Sequence, residues 1–284
     1  MKKFLVPTDF SDCSRLAIQY AAHLARKTSA KIFLLHVMEE DEESGGISTS
    51  GEWSSTISSP SSIPMMIGHM RETKVLMNDL IQSEQITDID VVDCIEVGKP
   101  SDKIALAAVK YEVDMIIMGT HGASGMKEVF AGSNAEKVVQ LSIVPVISIH
   151  ESSQSEPGKI VFASDFGLEA DSVFAHVQAF ARIYGSKIVL LNVVTPDGFE
   201  SNVRSRKKIQ AFLDRNNGGT LPFAIYNDEN SERGILHYVK ENGADLIAIG
   251  THGRGGISTF FNRSISEELV NHSFCPVMTV KFRN

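Results

Sequence analysis

The chain has 284 residues, 43% of them hydrophobic, a formal net charge of −8 and a pI near 5.6. That length fits two domains of about 150 residues each, the apolar fraction suffices for packed cores, and the acidity argues against a nucleic-acid scaffold, which is normally basic. Cys13, Cys94 and Cys275 show no CxxC spacing and read as reduced thiols rather than a disulfide framework or a zinc site; no long apolar stretch follows Met1-Lys2-Lys3, so neither a signal peptide nor a membrane span is expected and the cytoplasm is the default.

In chain order, Phe4–Pro7 reads as a short buried strand. Leu16, Tyr20 and Leu24, with Ala17, Ala21 and Ala25, form a stripe at i, i+4 spacing and predict a helix. Ile32–Val37 is the second strand. Residues 39–64 are rich in Glu, Ser and Gly, with Trp53 alone in a polar stretch; this composition predicts a weakly ordered excursion, the alternative being a lid over the strand ends. A helix over Met70–Glu84, a strand over Val91–Glu96, a helix over Ser101–Tyr111 and a strand over Met115–Met118 follow. Ser133–Leu141 and Val144–Ile149 close the unit as helix and strand, and Glu151–Gly158 has linker composition.

The pattern then repeats. Lys3–Phe10 aligns with Lys159–Phe166, and Lys31–Val37 with Lys187–Val193, at an offset of 156. Asp114–Gly122 aligns with Asp245–Gly253, and Val144-Pro145-Val146 with Cys275-Pro276-Val277, at an offset of 131. The second unit therefore lacks 25 residues between its second and third strands, where the first unit carries its polar excursion. The units span residues 1–150 and 158–284. Alternating strands and helices imply a parallel sheet covered on both faces, and ligands of such folds bind beyond the carboxyl ends of the strands, where strand order reverses.

Residues that suit ligand chemistry stand at those ends. Asp9 follows the first strand and reads either as a turn carboxylate or as an acceptor for a ribose or base; Asp165 repeats it. Gly119-Thr120-His121-Gly122 follows the fourth strand, and nine residues later stands Gly132-Ser133-Asn134. A glycine turn followed by a glycine and a hydroxyl at a helix start can cradle phosphate. Ser133 through Glu136 is also a capping box, as is Ser264 through Glu267, so the serine has a structural reading beside the functional one. The second unit repeats Gly250-Thr251-His252-Gly253 but reaches Arg263-Ser264. An arginine there blocks or rearranges the site, pairs with a carboxylate, or grips phosphate itself; loss of the glycine favours blockage. Glu229-Asn230-Ser231 also replaces the turn Gly98-Lys99-Pro100. His121 and His252 have no partner at metal-ligand spacing and read as turn residues. Neither a Walker motif nor a nucleophile elbow is present.

Together these residues resemble the universal stress protein family in a tandem form. Gly119-x₂-Gly122-x₉-Gly132-Ser133 satisfies the family's ATP-binding pattern, and Val6–Ser11 and Leu35-His36-Val37 are similar to its opening segments. The resemblance implies an α/β fold of two tandem doubly wound parallel sheets, five strands each in the order 3-2-1-4-5, of the adenine nucleotide alpha-hydrolase-like kind. It places adenosine near Pro7, Thr8, Asp9, Val37 and Met118, and phosphates near Gly119, Gly122, Gly132, Ser133 and Asn134, with His121 also among the nucleotide-binding positions. The implied cofactor is ATP, with or without Mg, and the implied role is a nucleotide-dependent stress-response regulator. The alternatives are a slow ATPase, with Lys127 and Glu128 as nearest candidates, and a nucleotide-independent scaffold. The fifth strands are expected to pair within one chain as a pseudo-dimer, with a further homodimer left open. Nucleic acid and membrane are not expected partners.

Overall fold

The computed structural model describes residues 1–39, 62–120, 133–149, 157–251, 269–270 and 273–282. Its first half runs β1 (Lys3–Pro7), α1 (Asp12–Thr28), β2 (Lys31–Met38), α2 (Ser62–Ser83), β3 (Val91–Val97), α3 (Pro100–Lys110), β4 (Met115–Gly119), α4 (Ser133–Leu141) and β5 (Val146–Ile149). The second half runs β6 (Lys159–Ala163), α5 (Ala170–Tyr184), β7 (Lys187–Val194), α6 (Asn202–Arg215), β8 (Phe223–Asn227), α7 (Ser231–Asn242), β9 (Leu246–Thr251) and β10 (Val277–Lys281).

Strands with unbroken apolar runs take the centre of each half-sheet, because helices cover them on both sides. Phe4, Leu5 and Val6 of β1 and Ile160, Val161 and Phe162 of β6 are all fully buried. The ten strands form one sheet in the order β3-β2-β1-β4-β5-β10-β9-β6-β7-β8. Each half thus has the order 3-2-1-4-5, as the resemblance implied. The halves join where β5 and β10 pair antiparallel, with Val277 opposite Ser148 and Thr279 opposite Val146. That seam is the expected intrachain pairing of fifth strands.

The two faces are packed differently. On one, a single apolar layer crosses the seam, and α1 and α5 meet there, with the Tyr184 hydroxyl donating to the Leu24 carbonyl at 3.5 Å. On the other, each half has its own cluster: Leu35, Ile116 and Val138 in the first, Leu191, Ile247 and Val277 in the second. Val270, from the second half, packs into the first half's cluster.

Repeated local contacts fix the strand starts. Asp114 Oδ2 accepts the Lys2 and Lys3 backbone N–H groups at 2.5 and 3.0 Å, and Asp245 Oδ2 accepts that of Lys159 at 2.7 Å. Two boundaries differ from the sequence-based expectation by more than one residue. Helix α2 begins at Ser62 rather than Met70, so the end of the expected excursion 39–64 is helical. Pro64 there lies in the first turn, where a backbone N–H has no intrahelical partner to lose. Strand β5 begins at Val146 rather than Val144, because the Ser142 hydroxyl accepts the Val144 N–H at 3.1 Å and donates to its carbonyl at 2.7 Å. Ser273 ties Cys275 into the same turn before β10, at 3.2 and 2.7 Å. The remainder of the excursion, residues 40–61, lies outside the described residues.

Candidate functional site

In a 3-2-1-4-5 sheet the chain leaves the first strand in one direction and returns to the fourth in the other, so the switch point falls between β1 and β4. The strands separate there. β1 stays paired with β2 up to Pro7 opposite Leu35, and β4 with β5 up to Gly119 opposite Ile149. Between β1 and β4, however, the pairing stops at Leu5 opposite Ile116. A crevice therefore opens over the last residues of both strands. In the second half, β6 and β9 stay paired one step further, to Phe162 opposite Ala248. At a strand rise of about 3.3 Å per residue, the first crevice begins one residue deeper in the sheet.

The lip of the first crevice is the turn Thr8-Asp9-Phe10-Ser11. The last ladder bond of β1 is Thr8 N–H to the Leu35 carbonyl at 2.8 Å. Thr8 Oγ1 then accepts the Phe10 N–H at 3.1 Å and lies 3.0 Å from Ser14 Oγ. Asp9 Oδ1 accepts from the Ser11 N–H at 3.1 Å and the Ser11 hydroxyl at 2.5 Å. Ser11 is also the N-cap of α1, accepting the Ser14 N–H at 3.2 Å. These bonds hold Phe10 at φ 66°, a left-handed conformation that a bulky residue rarely adopts. The Asp9 carboxylate is thereby fixed as a turn acceptor while it remains exposed. Its two sequence readings, turn residue and ligand acceptor, are compatible in one geometry.

The β4 side of the crevice gives Gly119 a role that sequence reasoning did not assign. A Cβ on Gly119 would lie 2.8 Å from both the carbonyl carbon and oxygen of Cys13 and 2.9 Å from its Sγ. Gly119 is therefore the point at which the first turn of α1 rests on the sheet. Positive φ plays no part in it: among the described residues of this half, Gly98, with φ 130°, is the glycine that needs such freedom. Beside Gly119, the Ile149 carbonyl accepts from the Thr120 N–H at 3.2 Å, the Thr120 hydroxyl at 3.3 Å and the Cys13 thiol at 3.5 Å. Gly250 repeats the close approach against a different partner. A Cβ there would run into the Phe282 ring, whose backbone N–H donates to the Thr251 carbonyl at 3.0 Å.

Pro7, Thr8, Asp9, Val37, Met118 and Gly119 are thus placed at the ends of three adjacent strands. Pro7, Thr8 and Met118 are buried, and Val37 is partly buried. Ser133 and Asn134 begin α4. His121, Gly122 and Gly132, with Lys127 and Glu128, lie outside the described residues, as do His252, Gly253, Arg263 and Ser264. The turn before α3 is built as Gly98 N–H to the Met38 carbonyl at 2.9 Å. Its counterpart before α7 uses Asp228 N–H to the Val194 carbonyl at 3.1 Å, with Asn230 capping the helix through Arg233 N–H at 2.8 Å. The Asp228 carboxylate works against burial, yet hydrogen bonds from His237, at 2.7 Å, and the Glu229 N–H outweigh that cost and hold its pKa below the usual range. Among the described residues no group of three or more His, Cys, Asp or Glu side chains is placed to hold a metal, and no helix is long and apolar enough to cross a membrane.

Comparison with known proteins agrees with this double architecture. The universal stress protein family model matches residues 1–150 and again 157–281. The chain belongs to the universal stress protein family. Universal stress protein MJ0577 of Methanocaldococcus jannaschii is 29% identical over 52% of this chain and 94% of its own length. Universal stress protein Slr1230 of Synechocystis is 22% identical over 99% of this chain and 100% of its own. A crystal structure of a universal stress protein from Archaeoglobus fulgidus superposes with a TM-score of 0.70 at 22% identity, covering 98% of each chain, and shares the fold. This universal stress protein is therefore matched along its whole length by a tandem relative and over half its length by a shorter one.

Sequence reasoning missed three residues of the site. His36 appeared only within a family-like segment; its Nδ1 lies 2.8 Å from the Thr8 carbonyl oxygen. Cys13 was read only as a reduced thiol. Phe10 packs against His36 with the rings tilted and their centroids 4.6 Å apart. A partial signal existed for His36 and Phe10, since both lie in segments that the second unit repeats.

Proposed function

We propose that the first module binds an adenine nucleotide in the β1/β4 crevice and that the protein is a nucleotide-dependent stress-response regulator of the cytoplasm. The supporting observation is the early separation of β1 and β4, with an exposed, pre-oriented Asp9 at the lip. A carboxylate held by two donors costs little to orient when it accepts a ribose hydroxyl. The donor set suits the adenosine end of ATP: Pro7, Val37 and Met118 supply apolar surface, and Thr8 and Asp9 supply the polar contacts. In this reading the phosphates, with or without Mg, lie toward Gly119, His121, Gly122, Gly132, Ser133 and Asn134. The N-terminus of α4 contributes main-chain N–H groups and a favourable dipole for an anion. The second module keeps the fold without the phosphate glycine, because Arg263 stands at that position.

Calorimetry with ATP tests the assignment. Wild type is expected to bind one ATP per chain, and Gly132→Arg to lose at least tenfold in affinity. Equal affinity in both proteins refutes the first-module site, and two equivalent sites per chain refute the loss of function in the second.

A further inference from the structure

His36 holds the lip of the first crevice from beneath. It projects from the end of β2 toward the turn after β1, and its ring meets two groups of that turn at once. Nδ1 lies 2.8 Å from the Thr8 carbonyl oxygen, and the Phe10 ring packs against the imidazole in a tilted arrangement, with centroids 4.6 Å apart and an interplanar angle of 38°. The acceptor is a carbonyl, so Nδ1 carries the proton. The Thr8 carbonyl lies just past the end of β1, where the sheet ladder no longer serves it. Phe10 is the residue forced to φ 66°. One side chain therefore fixes both the residue before Asp9 and the residue after it.

The second module supplies an internal comparison. Asn192 stands at the position of His36, and its Nδ2 donates to the Ser164 carbonyl at 3.4 Å. There the aromatic partner has left: Phe166, at φ 61°, is fully buried and packs against Phe212 with centroids 5.0 Å apart. The core holds the second turn, whereas His36 holds the first, in which Phe10 is only partly buried.

We infer that His36 is a positioning residue that sets the ribose-facing orientation of Asp9 by clamping Thr8 and Phe10, without itself touching the ligand. This rests on the reading of the first crevice as an adenosine site. The test compares wild type, His36→Asn and His36→Leu by two readouts. Calorimetry gives the affinity for ATP and for 2′-deoxy-ATP, and hydrogen exchange by NMR reports the Phe10 and Ser11 amides. His36→Leu is expected to speed exchange of both amides about tenfold, to weaken ATP about tenfold, as loss of one buried hydrogen bond would, and to shrink the preference for ATP over the 2′-deoxy nucleotide. His36→Asn, which can donate as Asn192 does, is expected to restore all three to within about threefold of wild type. A merely structural histidine would lower the unfolding midpoint and leave the ribose preference unchanged, which overturns the inference. Wild-type exchange in His36→Leu overturns it as well, whatever the nucleotide does. If wild type itself binds no ATP, the nucleotide reading fails, and the exchange data alone decide whether His36 holds the turn.

Discussion

Gly250→Ala puts a methyl group where the Phe282 ring already lies. The added Cβ would meet three atoms of that ring, the furthest of them at 3.1 Å, and contacts below 3.0 Å force a displacement. Gly250 lies in β9 and is not among the glycines with positive φ, so alanine meets no backbone strain there. The steric term is overpacking, about 1–3 kcal/mol destabilising. Against it stands a gain of about 0.4–1 kcal/mol from the less flexible unfolded chain. In a Phe282→Ala background the obstruction is gone, and only the gain remains. Urea unfolding of wild type, both single variants and the double variant should therefore give a coupling of about 2 kcal/mol, with Gly250→Ala destabilising in the presence of the ring and neutral or stabilising without it. Gly119→Ala is the contrast. Its obstruction is the Cys13 main chain as well as Sγ, so Cys13→Ala should relieve little of the cost. An equal cost of Gly250→Ala in both backgrounds would refute the claim that Phe282 is the reason for this glycine.

Ser11→Ala removes the α1 cap and the hydroxyl bond to Asp9 while keeping the main-chain bond; about 1 kcal/mol of stability should be lost, together with several-fold in ATP affinity. Ser201→Ala, which uncaps α6 in the second module, should cost similar stability and leave ATP binding as it was, so parallel losses of affinity would count against a first-module site. Tyr184 supplies a pH test. Burial pushes its phenol up to about 12, so the native state favours the protonated ring. That contribution is complete below the unfolded pKa near 10 and is lost as pH rises toward 12. The difference between the two values corresponds to about 3 kcal/mol. Urea midpoints of wild type should fall more steeply across this window than those of Tyr184→Phe; equal slopes would show that the phenol is not protected by the fold.

The order of elements was legible because strands buried on both faces are written as unbroken apolar runs, as in Phe4–Val6 and Met115–Met118, and the helices between them carry stripes at helical spacing. The repeat was legible for the same reason. Boundaries set by side-chain turns were not. Ser142 shortens the fifth strand of the first unit by bonding to the main chain two residues on, and a serine in sequence does not announce which backbone group it will meet. Of the candidate site, Asp9 and Gly119 could be found from their places at strand ends. The reason for Gly119 could not, since Cys13 approaches it from 106 positions away in the chain. His36 was equally hidden, because its partner Thr8 lies across a strand pair.

By itself, the sequence determined a duplicated α/β unit, the difference between Gly132 in one copy and Arg263 in the other, and membership in a family whose pattern only the first copy completes. These are properties of residue type and spacing, which periodic burial and local turn chemistry make readable. The tertiary structure alone decided that the two half-sheets join into one, that β1 and β4 diverge a residue earlier than β6 and β9, and that the two copied glycines serve different neighbours. Those outcomes depend on which distant surfaces meet, and close packing makes them sensitive to single atoms. A Cβ that would strike main chain in one module strikes a phenyl ring in the other, although Thr-His-Gly follows the glycine in both.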